Sequence, residues 1–420
     1  MTHGHGSGLL TPVEEHLAQI LATITPLTPT ELGLNDIGGL VLAEDVSALS
    51  ALPSFDNSGM DGYAVRVEDV AAATEEAPVL LPVTAEVAAG DTGAYALQPG
   101  TAIKIMTGAM LPHGAEAVVP VEWTDGGRAR VSIRAGAEFG NAVRLAGEDA
   151  KAGEVLVAAG TLLRPMHVAV IAAAGRGSVL VRPRPRVVVL STGNELAEPG
   201  TPLVPGRIWD SNSFMLAAAA REAGCLAYRQ AILPDHPDEV LPAIEEQLVR
   251  ADLMVTTGGV SMGGEHDVVK AALQQLGTIT FRKVAMQPGM PQGFGTIALP
   301  AAIVPAAGDR VPIFTLPGNP VSAYVSFQVF ARPAIAALQG YDGLGLDKVQ
   351  AELTGPLRSP AGRRSFLRGV LDRAAGKVTP LTGQGSHQIA TLGKANALVV
   401  VPEGVVQMSA GDIAEVLVLP

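Results

Sequence analysis

The chain has 420 residues, of which 48% are hydrophobic and 17% are charged, and its formal net charge at pH 7 is −12. This composition is too apolar for a disordered chain, and the negative charge is opposite to that of a typical nucleic-acid-binding protein. The single cysteine, Cys225, excludes internal disulfides and thiolate metal clusters. We therefore expect a globular protein of roughly two to four domains with no nucleic-acid partner.

The sequence shows no segment suited to membrane insertion or export. No apolar run approaches the ~18 residues that a membrane-spanning helix requires. The opening segment MTHGHGSGLL lacks the charged and apolar regions of a signal peptide. We expect a cytoplasmic protein with no membrane contact.

The first predicted element is a helix within residues 1–28. Thr11-Pro12-Val13-Glu14 matches a capping box with proline at the first helical position, so the helix should begin at Thr11 and end near Pro26. We expect this helix to pack on an α/β domain. Residues 29–51 and 151–180 are assigned to a small mixed domain with a helix at PMHVAVIAAAG.

Residues 52–150 have the pattern of an inserted β domain. Short runs with strand character are separated by Gly-rich turns: VLLPVTAEV, TAIKIM, AEAVVPVEW and RARVSIR. The stretch FDNSGMDGYAVR at 55–66 places two carboxylates among turn residues at the start of this domain. The Pro-rich VRPRPR at 181–186 is interpreted as a linker.

Between residues 181 and 340, strands alternate with helices. The predicted strands are RVVVL, LAYRQAIL, ADLMVTT and PIFTL, and the predicted helices are SNSFMLAAAAREAG, PDEVLPAIEEQLVR, HDVVKAALQQLG and NPVSAYVSFQVFARPAIAAL. This alternation predicts a central α/β domain with a mostly parallel sheet, and such sheets bind ligands beyond the carboxyl ends of their strands. From 345 to 420 the runs RSFLRGVL, NALVVVPEG and DIAEVLVLP predict a small barrel or sandwich.

Polar, Gly-rich loops follow three of the predicted parallel strands: STGNEL, TTGGVSMGGEHD and PGNP. In the middle loop Thr256, Thr257, Gly258, Gly259 and Ser261 would present backbone N–H groups and hydroxyls beside a helix start, a geometry that suits a phosphate. The spacing matches neither a P-loop nor the GxGxxG fingerprint. The alternative is a flexible turn without a ligand.

Three carboxylates lie at or just past predicted strand ends: Glu195, Asp235 and Asp267. Taken singly, Asp235 could cap the helix that follows it, and Asp267 could stabilise a helix through its dipole. Taken together beside a phosphate loop, they suit Mg²⁺, which takes one or two carboxylates plus substrate phosphates.

The C-terminal region carries an arginine cluster in RSPAGRRSFLRG, 358–369. Guanidinium groups recognise oxyanions, although for any single arginine a solvated surface is the simpler interpretation. Ser386 in GSH lies on a second predicted loop of the same domain.

Seven segments, in order, resemble one family: FDNSGMDGYAVR, IKIMTGAMLPHGAEAVVP, GNAVRLAGEDAKAGE, STGNEL, TTGGVSMGGEHD, LPGNPVSA and FLRG with GSH. They are similar to the molybdopterin molybdotransferases, the MoeA family, to which the E-domain of gephyrin belongs. The resemblance runs from about residue 11 to the C-terminus. It implies an elongated four-domain homodimer with a C-terminal β-barrel domain. It also implies that adenylylated molybdopterin and molybdate are converted to molybdenum cofactor with release of AMP and a requirement for Mg²⁺.

The resemblance also implies site residues, carried over by matching motif. The catalytic set would be Asp61, Thr107, Asp149, Glu195, Asp235 and Asp267, and Asp235 and Asp267 would bind Mg²⁺. The substrate-binding set would be Thr257, Gly258, Gly259, Ser261, Lys283, Pro317, Pro320, Arg368 and Ser386. In a dimer with a shared cleft, the 55–66 loop would complete the partner's site. The chain departs from the family at MQPGMP, where Gln287 and Met290 replace lysines of an IKPGKP-like pattern.

Three other functions stay open at this stage. A molybdopterin adenylyltransferase shares the TTGG-type loop, a non-catalytic dimeric scaffold shares the fold, and a paralogue could insert tungstate. Partners would include the adenylyltransferase and the molybdoenzymes that accept the cofactor.

Overall fold

The computed structural model describes residues 10–234, 236–258, 270, 273, 278–299, 310–343 and 345–420. The predicted site positions Asp235, Gly259, Ser261 and Asp267, and most of the predicted helix HDVVKAALQQLG, lie outside these residues. The described chain forms a small mixed region, a β region, an α/β sheet and a C-terminal β-barrel. The multidomain fold class is as predicted.

The N-terminal helix spans Val13–Leu21 and buries Ile20 in the core that it shares with the α/β sheet. The predicted capping box is wrong, because no side chain caps this helix. The Thr11 backbone is instead engaged elsewhere: its N–H donates to the Lys283 carbonyl at 2.9 Å, and its carbonyl accepts from the Ala285 N–H at 2.7 Å. These bonds extend the chain at Thr11, so the helix starts two residues later.

The small mixed region has a three-stranded antiparallel sheet in the order Thr30–Gly33, Ser178–Arg182, Val41–Leu42. A second strand pair, Val46–Ser47 with Val155–Val157, and the helix Pro165–Ala173 complete it. Half of the predicted linker at 181–186 is strand, since residues 181 and 182 end one strand and residue 186 begins the next. Only 183–185, with its two prolines, interrupts the pairing, because proline has no N–H to donate.

The β region is a five-stranded sheet, and the short helices Val67–Val70 and Val121–Trp123 lie beside it. The strand order is Ala117–Pro120, Gly62–Val65, Ala102–Ile105, Val79–Val87, Arg130–Ile133. The stretch FDNSGMDGYAVR is only partly a turn: Asn57–Ser58 pairs with Val143–Arg144, residues 59–61 bend, and Gly62–Val65 is an inner strand. Glycine is required at 62, because a Cβ there would lie 2.1 Å from the Val119 carbonyl oxygen.

The α/β sheet has six strands, and four of them are parallel as predicted: Leu226–Arg229, Arg186–Ser191, Leu253–Thr257 and Arg310–Leu316. The sequence did not reveal the antiparallel hairpin Thr280–Lys283 and Pro291–Ala298 that extends it. Glycines interrupt the strand pattern there because of crowding. A Cβ on Gly293 would lie 2.8 Å from the Phe281 ring and 2.9 Å from the Thr315 side chain.

The helices around the sheet include Asn212–Glu222 and Pro237–Leu248. The predicted single helix at 319–338 consists of Pro320–Ser326, a π-turn at Phe327–Ala331 and Arg332–Leu338. Pro333 cannot donate to the preceding turn, which accounts for the wider turn. Among the described residues, this is the one helix long and apolar enough to cross a membrane, but 72% of it is buried in the protein, as in a core helix.

The C-terminal region is a closed barrel, in agreement with the prediction. Its strands follow each other around the ring as Arg364–Asp372, Lys377–Pro380, Lys348–Leu353, Ile413–Val418 and Ala397–Val401, and the last pairs with the first. Short strands Leu196–Ala197 with Ile208–Trp209, and Leu357–Arg358 with Gln407–Met408, lie outside the main sheets. Met286–Gln287 pairs with the start of the barrel strand Arg364–Asp372. The helix Ile389–Leu392 lies in sequence between the barrel strands Lys377–Pro380 and Ala397–Val401.

A buried histidine makes the stability of this fold depend on pH. His16 is 3% exposed, packs edge-on against Phe330 with ring centroids 4.9 Å apart, and has no partner for Nδ1 among the described residues. Burial, and secondarily the charge of Arg282, lowers the pKa of His16 from 6.5 to about 4. The unfolded chain therefore binds a proton more readily than the folded chain between these values.

We predict that the melting temperature falls as the pH is lowered from 6.5 to 4 and that His16→Leu reduces this fall. The stability contributed by a neutral His16 is complete above pH 6.5 and is lost toward pH 4, at no more than about 1.4 kcal/mol per pH unit. Thermal unfolding followed by circular dichroism measures it. His113→Leu, at an exposed histidine, is the control. Equal pH slopes for wild type and His16→Leu would contradict the assignment.

Candidate functional site

Three loops converge at the carboxyl edge of the α/β sheet. The Thr192 N–H donates to the Thr257 carbonyl at 3.2 Å, and the Gly258 N–H donates to the Leu316 carbonyl at 3.3 Å. Gly258 has φ +99°, and a Cβ at this position would lie 2.6 Å from the Thr192 carbonyl oxygen. Glycine is therefore needed where the first two loops approach each other. The structure brings together the loops that the sequence singled out.

The Asn212 side chain holds two of these loops together by hydrogen bonds, a role that the sequence did not reveal. Its Nδ2 donates to the Thr257 hydroxyl at 2.9 Å and to the Gly318 carbonyl at 2.6 Å, which joins the second loop to the third. The Thr257 hydroxyl also donates to the Pro317 carbonyl at 3.3 Å. The sequence signal was only an asparagine at a helix start, which is a common capping residue.

Two buried polar atoms at the same edge have no hydrogen-bond partner in the described part of the chain. They are the Thr192 hydroxyl and Asn212 Oδ1, and Thr192 is 3% exposed. A buried polar group without a partner costs free energy, so such groups commonly mark a site for water or a ligand. These atoms extend the candidate site beyond the predicted residues.

Two acidic residues beside the first loop differ in their exposure to solvent and therefore in whether they can contact a ligand. Glu195 is exposed and lies over Gly193, where a Cβ would approach its Oε2 to 2.6 Å. Asp210, which the sequence analysis did not select, is 1% exposed and accepts from the Ser191 hydroxyl at 3.2 Å and the Ser213 N–H at 3.1 Å. Asp210 therefore anchors the helix start, whereas Glu195 is open to solvent and ligands.

Lys283 lies at the same edge through the hairpin that the sequence did not reveal. Thr280–Lys283 is antiparallel to Pro291–Ala298, which is itself antiparallel to Arg310–Leu316. The strand that ends at Lys283 is thus parallel to the main strands, and its carboxyl end lies at their carboxyl edge. The Lys283 side chain is exposed.

The third loop connects this edge to the barrel. Asn319 Nδ2 donates to the Ser386 hydroxyl at 3.1 Å, and the Val321 N–H donates to the Ser386 carbonyl at 3.1 Å. Pro317 is buried, and Pro320 begins the helix that follows. The predicted residues Pro317, Pro320 and Ser386 are therefore neighbours.

The predicted substrate-binding residue Arg368 lies inside the barrel, beside the loop that carries Ser386. It is 1% exposed, and its side-chain donors point at protein acceptors. Arg364 is also engaged, in ion pairs with Glu14 and Glu403. Of the predicted cluster, Arg358 is exposed and borders a separate cavity of about 560 Å³ between residues 354–358 and 379–384.

Asp61 and Thr107 form a second cluster, in the β region. Asp61 Oδ1 accepts from the Thr107 N–H and from the Thr107 hydroxyl, both at 2.7 Å. These two bonds, in that order, lower the pKa of the Asp61 carboxyl from its ordinary value, with a smaller contribution from the charge of Lys104. Asp149 is exposed. The described hydrogen bonds of residues 55–145 stay within 52–150, so none links this cluster to the sheet edge of the same chain.

No group of three or more histidine, cysteine or acidic residues forms a metal cluster in the part of the chain that the structure describes. The predicted ligands Asp235 and Asp267 are outside that part. Mg²⁺ bound together with substrate phosphates needs only one or two carboxylates, which the exposed Glu195 could supplement.

The fold and the sheet edge define a multidomain protein with a candidate ligand site where an α/β sheet meets a β-barrel. Residues 11–175 match the MoeA N-terminal region (domain I and II), residues 188–337 match a probable molybdopterin binding domain, and residues 350–419 match the MoeA C-terminal region (domain IV). The chain belongs to the MoeA family.

Relatives match over nearly the whole length. The chain is 44% identical to molybdopterin molybdenumtransferase 2 of Mycobacterium tuberculosis, over 96% of this chain and 98% of that protein. It is 35% identical to the molybdopterin molybdenumtransferase of Bacillus subtilis, over 90% of this chain and 87% of that protein. The crystal structure of a molybdopterin biosynthesis MoeA protein from Pyrococcus horikosii aligns with TM-score 0.82 and 31% identity, over 98% of this chain and 99% of that chain.

We predict that Thr107→Val raises the pKa of Asp61 part of the way toward its ordinary value. The variant loses the hydroxyl donor but keeps the backbone N–H, so the pKa stays below that of an unperturbed aspartate. NMR titration of the Asp61 carboxyl carbon measures it, and Thr107→Ser, which retains both donors, is the control. A wild-type pKa in Thr107→Val would show that the hydroxyl has no effect on the carboxylate.

Proposed function

We propose that the protein is a molybdopterin molybdotransferase, which inserts molybdate into adenylylated molybdopterin and releases AMP. The contact of the sheet edge with the barrel loop, through Asn319 and Ser386, carries the proposal. Insertion needs one site for the pterin and its phosphates and an adjoining site for an oxyanion. A polar sheet edge that meets a loop from a second domain supplies both.

The phosphates of adenylylated molybdopterin would bind at the loop after the strand Leu253–Thr257. Thr257 and Gly258 form its described part, and Gly259 and Ser261 continue it in the sequence. Backbone N–H groups at such a loop carry partial positive charge toward an anion. The hydroxyl of Thr192 and Oδ1 of Asn212, which are buried and have no partner among the described residues, would bind polar groups of the substrate.

Molybdate would bind on the barrel side, between Lys283 and Ser386. Molybdate is a dianion, so its site needs positive charge and hydrogen-bond donors. Lys283 supplies the charge at the sheet edge, and the Ser386 hydroxyl supplies a donor. Pro317 and Pro320 shape the loop between them. Gln287 and Met290 replace two lysines of the family pattern and carry no charge. Lys283 would therefore supply a larger share of the positive charge that binds molybdate.

Mg²⁺ fits the donor chemistry of the proposed site, and Asp235 and Asp267 would hold it, with Glu195 as a further oxygen donor. When bound, Mg²⁺ would offset phosphate charge and polarise the phosphoanhydride. Glu195 would otherwise orient water at the sheet edge, since its carboxylate is exposed.

We propose that the active form is a homodimer in which Asp61, Thr107 and Asp149 of one chain complete the site of its partner. The Thr107 bonds lower the pKa of Asp61, so its carboxylate is a charged hydrogen-bond acceptor suited to orienting water or a substrate group and is a weak base. The bend at 59–61 and the close packing of Gly62 fix the direction in which Asp61 points.

The proposed reaction also places the protein among partners. A molybdopterin adenylyltransferase would supply its substrate, and molybdoenzymes would accept its product. Both reactions belong in the cytoplasm, which we propose as its location.

We predict that the purified protein releases AMP from adenylylated molybdopterin with Mg²⁺ in a molybdate-dependent manner. Lys283→Gln should raise the KM for molybdate by about tenfold, the order expected when one charge-assisted hydrogen bond is lost. Chromatographic measurement of the AMP released at a series of molybdate concentrations gives both the molybdate dependence and the KM for molybdate. Lys348→Gln is a matched control, since Lys348 is an exposed lysine of the barrel with one surface ion pair, to Glu415.

The alternatives give different results in the same assay. Consumption of ATP with molybdopterin would identify an adenylyltransferase. No turnover by folded, dimeric protein would favour a scaffold. Equal activity with tungstate and molybdate would widen the substrate class to tetrahedral oxyanions.

A further inference from the structure

The mouth of the C-terminal barrel holds a cavity that the proposed function does not use. Its volume is about 560 Å³, within the range of roughly 300–1,000 Å³ that small-molecule sites occupy, and barrel mouths commonly hold such sites. The strands Lys348–Leu353 and Lys377–Pro380 are parallel, so their carboxyl ends lie at the same end of the barrel. The cavity lies at that end, between residues 354–358 and 379–384.

The charge of this cavity is opposite to that of the chain as a whole. The chain has 41 acidic residues against 29 lysines and arginines, yet none of the described residues that line the cavity is acidic. Arg358 lines it, is exposed, and forms no side-chain hydrogen bond or ion pair with a described residue. Its guanidinium donors therefore remain for a ligand, and guanidinium groups bind carboxylates and phosphates.

Two hydroxyl groups share the lining with Arg358. The Thr354 hydroxyl donates to the Thr379 hydroxyl at 2.9 Å, which leaves the Thr379 O–H to donate to a ligand. Thr382 is exposed, and its hydroxyl has no partner among the described residues. Together with the guanidinium, these hydroxyls supply the donors that an oxyanion needs.

The remaining side chains of the lining are largely apolar. Leu357 and Leu367 are each 5% exposed and belong to the core of the barrel. The other apolar lining residues are Pro356, Pro380 and Leu381. A bare inorganic ion would leave this apolar surface in contact with water, whereas a ligand with an apolar body would cover it.

Hydrogen bonds within the barrel hold the wall of the cavity in place. Gln384 Nε2 donates to the Arg368 carbonyl at 2.9 Å and to the Leu381 carbonyl at 2.8 Å. The Leu381 N–H donates to the Arg368 carbonyl at 3.0 Å, and the Thr354 N–H donates to the Val378 carbonyl at 3.0 Å. The cavity is therefore formed before a ligand binds, which lowers the cost of binding.

The cavity and the α/β core lie on opposite faces of one barrel strand, Arg364–Asp372. Successive side chains of a strand point to opposite faces. Leu367, which lines the cavity, packs in the barrel core, whereas Phe366 packs in the core shared with the α/β sheet. A ligand in the cavity would therefore be separate from molybdate bound between Lys283 and Ser386.

We propose that the barrel mouth is a second anion site, which binds a small organic anion with one phosphate or carboxylate group on an apolar body. Arg358 binds the anionic group, and the hydroxyls of Thr379 and Thr382 donate to it. Leu357 and Leu367 contact the apolar body. This site goes beyond the proposed function, because the reaction proposed for the sheet edge requires neither Arg358 nor the cavity.

Methyl NMR of the full-length protein tests the site with three matched probes, phenyl phosphate, benzoate and phenol. We expect saturable shifts of the Leu357 and Leu367 methyl signals with at least one of the two anions, and the tighter anion identifies the anionic group. The dissociation constant of neutral phenol should be at least about tenfold higher, because phenol lacks a charge-assisted hydrogen bond. No saturable shift with either anion, or phenol bound as tightly as the anions, would overturn the proposal.

Three variants locate the anionic group. Arg358→Gln removes a charge at an exposed position and should weaken binding of the tighter anion about tenfold, whereas Arg363→Gln and Lys283→Gln should change it by less than about twofold. Arg363 is a half-buried arginine of the same segment with no hydrogen bond or ion pair to a described residue, and Lys283 marks the proposed molybdate site. Unchanged affinity in Arg358→Gln, or an equal loss in Lys283→Gln, would contradict the assignment. The readout needs no turnover, so inactive wild-type protein would refute the proposed function and leave this test unaffected.

Discussion

The close approach of three strand-end loops at one edge of the α/β sheet is the constraint on which the rest of the site depends. Gly258 permits this approach, because any Cβ would meet the Thr192 carbonyl oxygen at 2.6 Å. Asn212 then joins the second and third loops with one amide group. The resulting edge brings the Thr192 hydroxyl and Asn212 Oδ1, two buried polar atoms without a partner among the described residues, next to the loop at Gly258. Lys283 lies at the same edge, at the end of a strand of the adjoining hairpin.

The barrel extends this edge through hydrogen bonds, not through exposed charge. Its arginines could suggest a positively charged surface, yet Arg368 is buried among protein acceptors, and the half-buried Arg364 forms ion pairs with Glu14 and Glu403. Arg368 donates hydrogen bonds to the carbonyls of the loop that contains Ser386, and the Ser386 hydroxyl accepts from Asn319. The proposed oxyanion site therefore combines one exposed cation, Lys283, with the hydroxyl of Ser386, whose position is held by hydrogen bonds to Asn319 and Val321. Such preorganisation lowers the cost of ordering the site when substrate binds.

The sequence was sufficient for the fold class because its strands were distinct. Buried runs such as RVVVL, followed by helical periodicity, predict parallel strands, and alternating segments predict the barrel. The hairpin of Thr280–Lys283 and Pro291–Ala298 was missed because Gly293 breaks the strand pattern. Glycine is required there because a Cβ would contact Phe281 and Thr315. The helix start was misplaced because the Thr11 backbone pairs with a segment more than 270 residues away. The roles of Asn212 and Arg368 depend on tertiary contacts and burial, which residue type and spacing do not encode.

A crystal structure of the protein with adenylylated molybdopterin and molybdate tests the central claim most directly. The proposed site predicts phosphate oxygens beside the loop that begins at Thr257 and Gly258, substrate polar atoms near Thr192 and Asn212, and molybdate between Lys283 and Ser386. Substrate bound in the barrel cavity beside Arg358, with the sheet edge and Ser386 unoccupied, would contradict it.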